Sequence, residues 1–138
     1  MGNQKGFASL FGICVLAVFS MLAMAAYTMV HREMKETVHF MSVAAMQLEA
    51  QNGILAAEAV LKGHPETAEK LTSNRSSRIW SGKDNDSGLS CVVYARRQGE
   101  RIYLMAESGD GKEKTRIYAQ AVKRDTQGYK IERWGALQ

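Results

Sequence analysis

The side chains able to hold a metal or form a covalent intermediate are few and scattered. Histidine occurs at His31, His39 and His64, and cysteine at Cys14 and Cys91. None of the histidines neighbours a cysteine or a carboxylate in a metal-ligand pattern. Ser108-Gly109-Asp110-Gly111 is too short for a phosphate loop and reads as a hairpin loop. Asp84-Asn85-Asp86 begins like a calcium loop, but the further ligands and the bidentate Glu are missing, so it reads as a solvated loop. The other carboxylates of the C-terminal half lie mostly in turns or beside bases, as surface groups do. No catalytic site, metal or cofactor is expected from these residues. The expected work is packing.

The elements that would do the packing begin with one stretch. Between Phe7 and Val30 no residue is charged, and the only polar side chains are those of Ser9, Cys14, Ser20, Tyr27 and Thr28. A bilayer span takes about 20 mostly apolar residues. In hydrocarbon a single segment satisfies its own backbone only as a helix. Residues 7–30 are therefore predicted to be a transmembrane helix. Lys5 ahead of it favours a cytoplasmic N-terminus, with the C-terminal part outside. The rest of the chain, roughly 108 residues, suffices for one small domain.

The 138-residue chain carries 18 Lys and Arg against 14 Asp and Glu, a net charge of +4. From residue 63 onward the count is 14 against 10, and over 31–62 it is three against four. The densest basic knot is Arg96, Arg97 and Arg101. Spread among acids, this charge reads as a soluble surface, and DNA is not an expected partner. A DNA-binding role for those three arginines would show itself as salt-sensitive retention. Cys14, inside the bilayer, cannot bridge Cys91 in a water-soluble domain, so no intrachain disulfide is expected. Cys91 reads as a small buried apolar residue.

Three processing patterns compete at the N-terminus. A lipoprotein cut needs a small residue before the cysteine, and Ile13 precedes Cys14. A secretory cut after Ala23-Met24-Ala25 fits the small-x-small rule. However, the apolar run is longer than a signal core and enters helix-like sequence with no turn residue at the cut. The third pattern is a resemblance. Gln4-Lys5-Gly6 followed by Phe7-Ala8-Ser9-Leu10 resembles the start of type IV pilins and of the pseudopilins of type II secretion. The resemblance implies that prepilin peptidase cuts between Gly6 and Phe7, removing residues 1–6, and that Phe7 is then N-methylated. It also implies that the apolar helix stays in the mature chain. An inner-membrane assembly platform would then deliver the chain from the membrane lipid into a pilus or pseudopilus, among other pilin-like subunits.

Shaft-building members of that family commonly carry Glu at the fifth position after the cut. Here that position is Phe11, which is similar to certain minor pilins and to the pseudopilin placed at the fibre tip. A carboxylate in hydrocarbon is costly and is kept only where it has a partner. A subunit with no neighbour on that side needs none, so the resemblance points to tip or initiation duty. Ala8, Gly12, Ala17 and Ser20 would let neighbouring helices approach closely. The alternative reading is a small binding module, membrane-anchored or secreted, with a conventional signal.

Beyond Val30 the pattern turns amphipathic without a break. Met34, Val38, Met41, Ala45, Leu48, Asn52, Leu55 and Ala59 alternate spacings of four and three, one stripe of a helix. A second, partial stripe of Val43, Met46, Ile54 and Leu61 would widen the buried face. Around 48–61 the stripe is expected to pack on the chain's own sheet. Met34, Val38 and Met41 lie nearer the membrane and are assigned to neighbouring subunits. Gly53 is a weak spot costing about 1 kcal/mol against Ala. Lys62-Gly63-His64-Pro65 is a stop, its Gly able to take a positive φ. A helix over 7–62 would be about 80 Å long, with a transmembrane half (7–30) and an amphipathic half (31–62).

A connecting segment, 63–88, and a β-sheet domain, 89–138, complete the expected layout. A short helix is expected over 65–71. Residues 72–88 are polar and turn-rich, with Ile79-Trp80 the apolar exception. Strands are expected over 89–97, 101–107, 114–123 and 129–134, with turns at Gln98-Gly99-Glu100, at Ser108-Gly109-Asp110-Gly111 and at Asp125-Thr126-Gln127-Gly128. Alternation puts Cys91, Val93, Ala95, Ile102, Leu104, Ala106, Ile117, Ala119 and Ala121 on one face, small enough for a helix to lie close. Tyr94, Tyr103 and Tyr118 share the other face and are expected to cluster across strands. The expected fold is α+β: a long N-terminal helix packed on an antiparallel meander of three to four strands.

Overall fold

A computed structural model describes residues 3–124 and 128–135 of the chain. Helix α1 (Asn3–Gly63) is followed by a short helix α2 (Pro65–Glu69) and five strands, β1 (Ser77–Lys83), β2 (Ser90–Gln98), β3 (Arg101–Gly109), β4 (Lys114–Arg124) and β5 (Gly128–Trp134). The chain divides into two compact units, Met1–Met41 and Ser42–Gln138. Of the turn expected at 125–128, residues 125–127 lie outside the described residues.

The first unit is helix alone. Its apolar side chains face outward, Phe7 being 72% and Phe11 64% exposed. Gly6–Gly63 is the one helix among the described residues long and apolar enough to cross a membrane, its most apolar window reaching a mean hydropathy of 2.4. The Thr28 hydroxyl donates to the Ala25 carbonyl at 2.8 Å. That bond satisfies the hydroxyl within the helix itself. Arg32 and Glu36 form a 3.4 Å ion pair one turn apart, too exposed to contribute much.

In the second unit the C-terminal part of α1 packs on an antiparallel meander of order β1-β2-β3-β4-β5. The fold class is the one expected. Met46, Ala50, Ile54, Ala57 and Leu61 on the helix are fully buried, as are Cys91, Val93, Ala95, Ile102, Leu104, Ala106 and Ala121 on the sheet. Alternation along β2, β3 and β4 thus put the right residues inside. Burying each of the larger ones, Met46, Ile54, Leu61, Val93, Ile102 and Leu104, is worth about 1.5–3 kcal/mol of transfer free energy.

Four features differ from the sequence-based expectation. The sheet has five strands, because β1 forms inside the stretch read as polar connection. A bulge between Arg78 and Trp80 shifts the register there. The bulge breaks the period-two signal and leaves both Ile79 and Trp80 half-buried. The hairpin loop read at 108–111 starts later, since Ser108 and Gly109 belong to β3. The loop is instead tied by Asp110, whose Oδ1 accepts the Lys112 and Glu113 amides at 2.8 and 2.9 Å. Helix α1 ends on Gly63 without a positive φ there; the stop comes from Pro65 at the start of α2, with His64 in a non-helical conformation before it.

The fourth difference concerns the helix face. Leu48 and Leu55, expected against the sheet, are 60% and 51% exposed. Ala45, Asn52 and Ala59 of the same stripe are exposed too. The sheet takes the other stripe instead, widened by Ala50, Gly53 and Ala57. The reason is steric. A Cβ on Gly53 would already lie 3.2 Å from Trp80 and from Val93. At Gly53 the helix backbone therefore sits too close to the sheet for any side chain, while Met46, Ile54 and Leu61 bury larger side chains elsewhere along the same face.

Candidate assembly surface

A helix advances about 100° per residue, so positions two apart lie on nearly opposite sides. Ala50, Gly53 and Ala57 face the sheet. Leu48 and Leu55, each two residues from one of these, face away. The second half of α1 is thus apolar on two opposite sides, one covered and one bare. Gln47 and Gln51 flank the bare side and are exposed.

The edge strand β5 adds a wall beside this helix face. Trp134 pairs with Ala119, whose side chain points into the core, so the indole lies on the helix side of the sheet. It remains 48% exposed. Together with Ile117 and Gly135 it faces Gln47, Gln51 and Leu55 across an open groove of about 570 Å³. The Gly135 amide donates to the Tyr118 carbonyl at 3.0 Å and holds the end of β5 in place. Nothing in the sequence pattern singled out Trp134. The signal was its inward register, which needed the strand pairing to be seen.

In the first unit Met34, Val38 and Met41 are exposed apolar residues, 62%, 66% and 65% respectively. Gly12, Ala17 and Ser20 are exposed as well, and a Cβ on Gly12 would meet nothing within 4 Å. Gly6 and Phe7 lie in the first turns of α1. The opening turn of a helix lacks backbone acceptors for its amides and is cheap to unwind.

Several polar groups of the second unit are committed to structure. Asp84 accepts the Asp86 and Ser87 amides, both at 3.2 Å, and the Ser87 hydroxyl. These bonds, the Ser87 hydroxyl foremost, hold its carboxyl below the usual range. Glu107 accepts from Lys114 Nζ at 2.9 Å and Arg116 Nε at 2.8 Å, and those two bonds lower its pKa. Among the described residues no group of three or more His, Cys, Asp or Glu could hold a metal ion. Cys91 is buried and unbridged. Burial, with Glu49 nearby, pushes its thiol up to about 11.

The basic knot read from the sequence is split by the strand. Arg97 pairs with inward Ile102, and its Nε donates to the Gly99 carbonyl at 3.0 Å. Arg96 and Arg101 take outward positions, with the tyrosines. The tyrosines do share one face, as expected, but Met105 of β3 stands between Tyr94 and Tyr118, directly opposite both.

A long apolar N-terminal helix packed on an antiparallel sheet is consistent with the general architecture of type IV pilins and pseudopilins. No family model, no curated protein and no solved structure significantly matches the chain.

Proposed function

We propose that this chain is a minor pilin-like or pseudopilin subunit, assembled through its long helix into a type IV pilus or type II secretion pseudopilus. The observation that carries the reading is the second apolar side of α1. Leu48 and Leu55 lie bare on the side opposite the sheet. A lone domain gains nothing from that exposure; a subunit stacked among like helices gains their burial. The uncharged run over 7–30 supports residence in the cytoplasmic membrane before assembly, N-terminus inside and sheet outside. Gly6–Phe7 is the bond proposed for prepilin peptidase, and Phe7 the residue N-methylated afterwards. Phe11, in place of an acid, favours a tip or initiating position over the shaft.

The test is the N-terminus of the protein isolated from envelopes. The expected result is N-methylated Phe7, with Gly6→Leu blocking the cut. A start near Ala26 would mean secretion, and an intact Met1 a plain anchor. Either would remove the fibre reading.

A further inference from the structure

On the sheet face turned away from α1, each of three tyrosines has an arginine two residues away along its own strand: Tyr94 with Arg96, Tyr103 with Arg101, and Tyr118 with Arg116. Residues two apart on a strand share a face. The three pairs lie on the adjacent strands β2, β3 and β4. They form a grid with about 5 Å between strands and about 7 Å along them. The register adds Arg78 beside Tyr94 on β1, and Arg133 and Lys130 on β5. On β1 to β4 the one carboxylate is Glu107, which engages Lys114 and Arg116, and on β5 Glu132 lies at the bulge between Ile131 and Arg133; Arg78, Arg96 and Arg101 have no carboxylate at a paired position. The tyrosines are half-buried among these cations, and Tyr94, Arg96, Tyr103, Met105 and Tyr118 line a cleft of about 190 Å³ with Ser76 above it.

We propose that this outer sheet face binds single-stranded nucleic acid. Rings and cations alternate here as bases and phosphates alternate along an unpaired strand. Aromatic faces stack on bases of any sequence, and arginines neutralise the phosphates between them. A duplex keeps its base faces covered and would leave the tyrosines idle. An acidic protein or a sulfated glycan would use the arginines and have no need of three rings. This inference is independent of the assembly reading, since α1 has no part in it.

The full chain in a non-ionic detergent, titrated into a fluorescent oligo(dT) of about fifteen nucleotides, tests the proposal by anisotropy. With three phosphates neutralised by Arg78, Arg96 and Arg101, affinity should fall roughly 20-fold between about 50 and about 200 mM salt. Arg96→Gln with Arg101→Gln should weaken binding about tenfold or more, whereas Arg97→Gln with Lys123→Gln, the same loss of charge at inward register positions, should change it less than about twofold. Tyr103→Leu should weaken oligo(dT) about fivefold or more and leave heparin binding unchanged, and Tyr103→Phe should retain the affinity. Equal losses from the two arginine pairs would overturn the proposal. So would a duplex or heparin bound as tightly as oligo(dT), or a silent Tyr103→Leu in a chain that melts normally.

Discussion

Gly53 of α1 lies directly over Cys91 of β2: a Cβ on Gly53 would stand 2.5 Å from the Cys91 sulfur. The helix and sheet meet here with no room for a methyl group. The glycine that looked like a weak point in the helix is what lets the helix seat.

Gly53→Ala should therefore destabilise the second unit, by about 1–3 kcal/mol from overpacking, despite a helix-propensity gain of about 1 kcal/mol. Gly53→Ala with Cys91→Ala should recover part of the loss, because removing the sulfur frees the space. Denaturant melts of the four chains give the coupling energy. Purely additive effects would mean that the two residues do not share one site.

The buried Cys91 thiol sets a limit at alkaline pH. Its folded pKa is raised to about 11 from an ordinary 9.0 by burial. Below pH 9 both states keep the proton and stability is unaffected. Between 9 and 11 the unfolded chain ionises first, so stability should fall with rising pH and level off above. Cys91→Ala should flatten that portion of the profile after correction for the lysines and tyrosines, which it leaves unchanged. The measurement is the midpoint of urea unfolding from pH 8 to 11.

The Ser108 hydroxyl is fully buried and has no hydrogen-bond partner among the described residues. Burying an unpaired polar group costs about 1–3 kcal/mol. Ser108→Ala removes that group with little change in volume and should be neutral or stabilising, by up to about 1 kcal/mol. A loss of more than that in thermal melts would reveal a bond that this hydroxyl makes in solution.

The two sides of α1 should respond in opposite ways. Ile54→Ala removes a fully buried side chain and should cost about 2–5 kcal/mol of stability. Leu48→Glu with Leu55→Glu replaces exposed residues and should shift the melt by less than about 1 kcal/mol. The same pair should abolish co-purification with fibres or with a second tagged copy. Normal assembly of the double variant would show that the bare stripe is not the contact.

Much of this protein was legible from local patterns. The uncharged run, the strand alternation and the burial of Cys91 each follow from a period or a length, which the chain carries residue by residue. β1 was not legible, because its bulge disrupts the alternation that announces a strand. The shared face of Tyr94, Tyr103 and Tyr118 was legible from alternation, but not that Met105 stands between Tyr94 and Tyr118, since only the pairing across strands sets which residues lie opposite one another.

The sequence alone determined that α1 has apolar residues at helical spacing on two sides. Which side would be covered was decided only in three dimensions. Both stripes satisfy the same period; the one with Leu48 and Leu55 runs longer but carries Asn52, whereas Met46, Ile54 and Leu61 line the other. Cys91, Trp80 and Val93 bring the sheet so near the helix at one point that only the side holding Gly53 can seat there, with Ile54 and Leu61 filling the space beyond it. Steric match between two elements far apart in the chain chose the buried side, and by that choice left Leu48 and Leu55 exposed on the other.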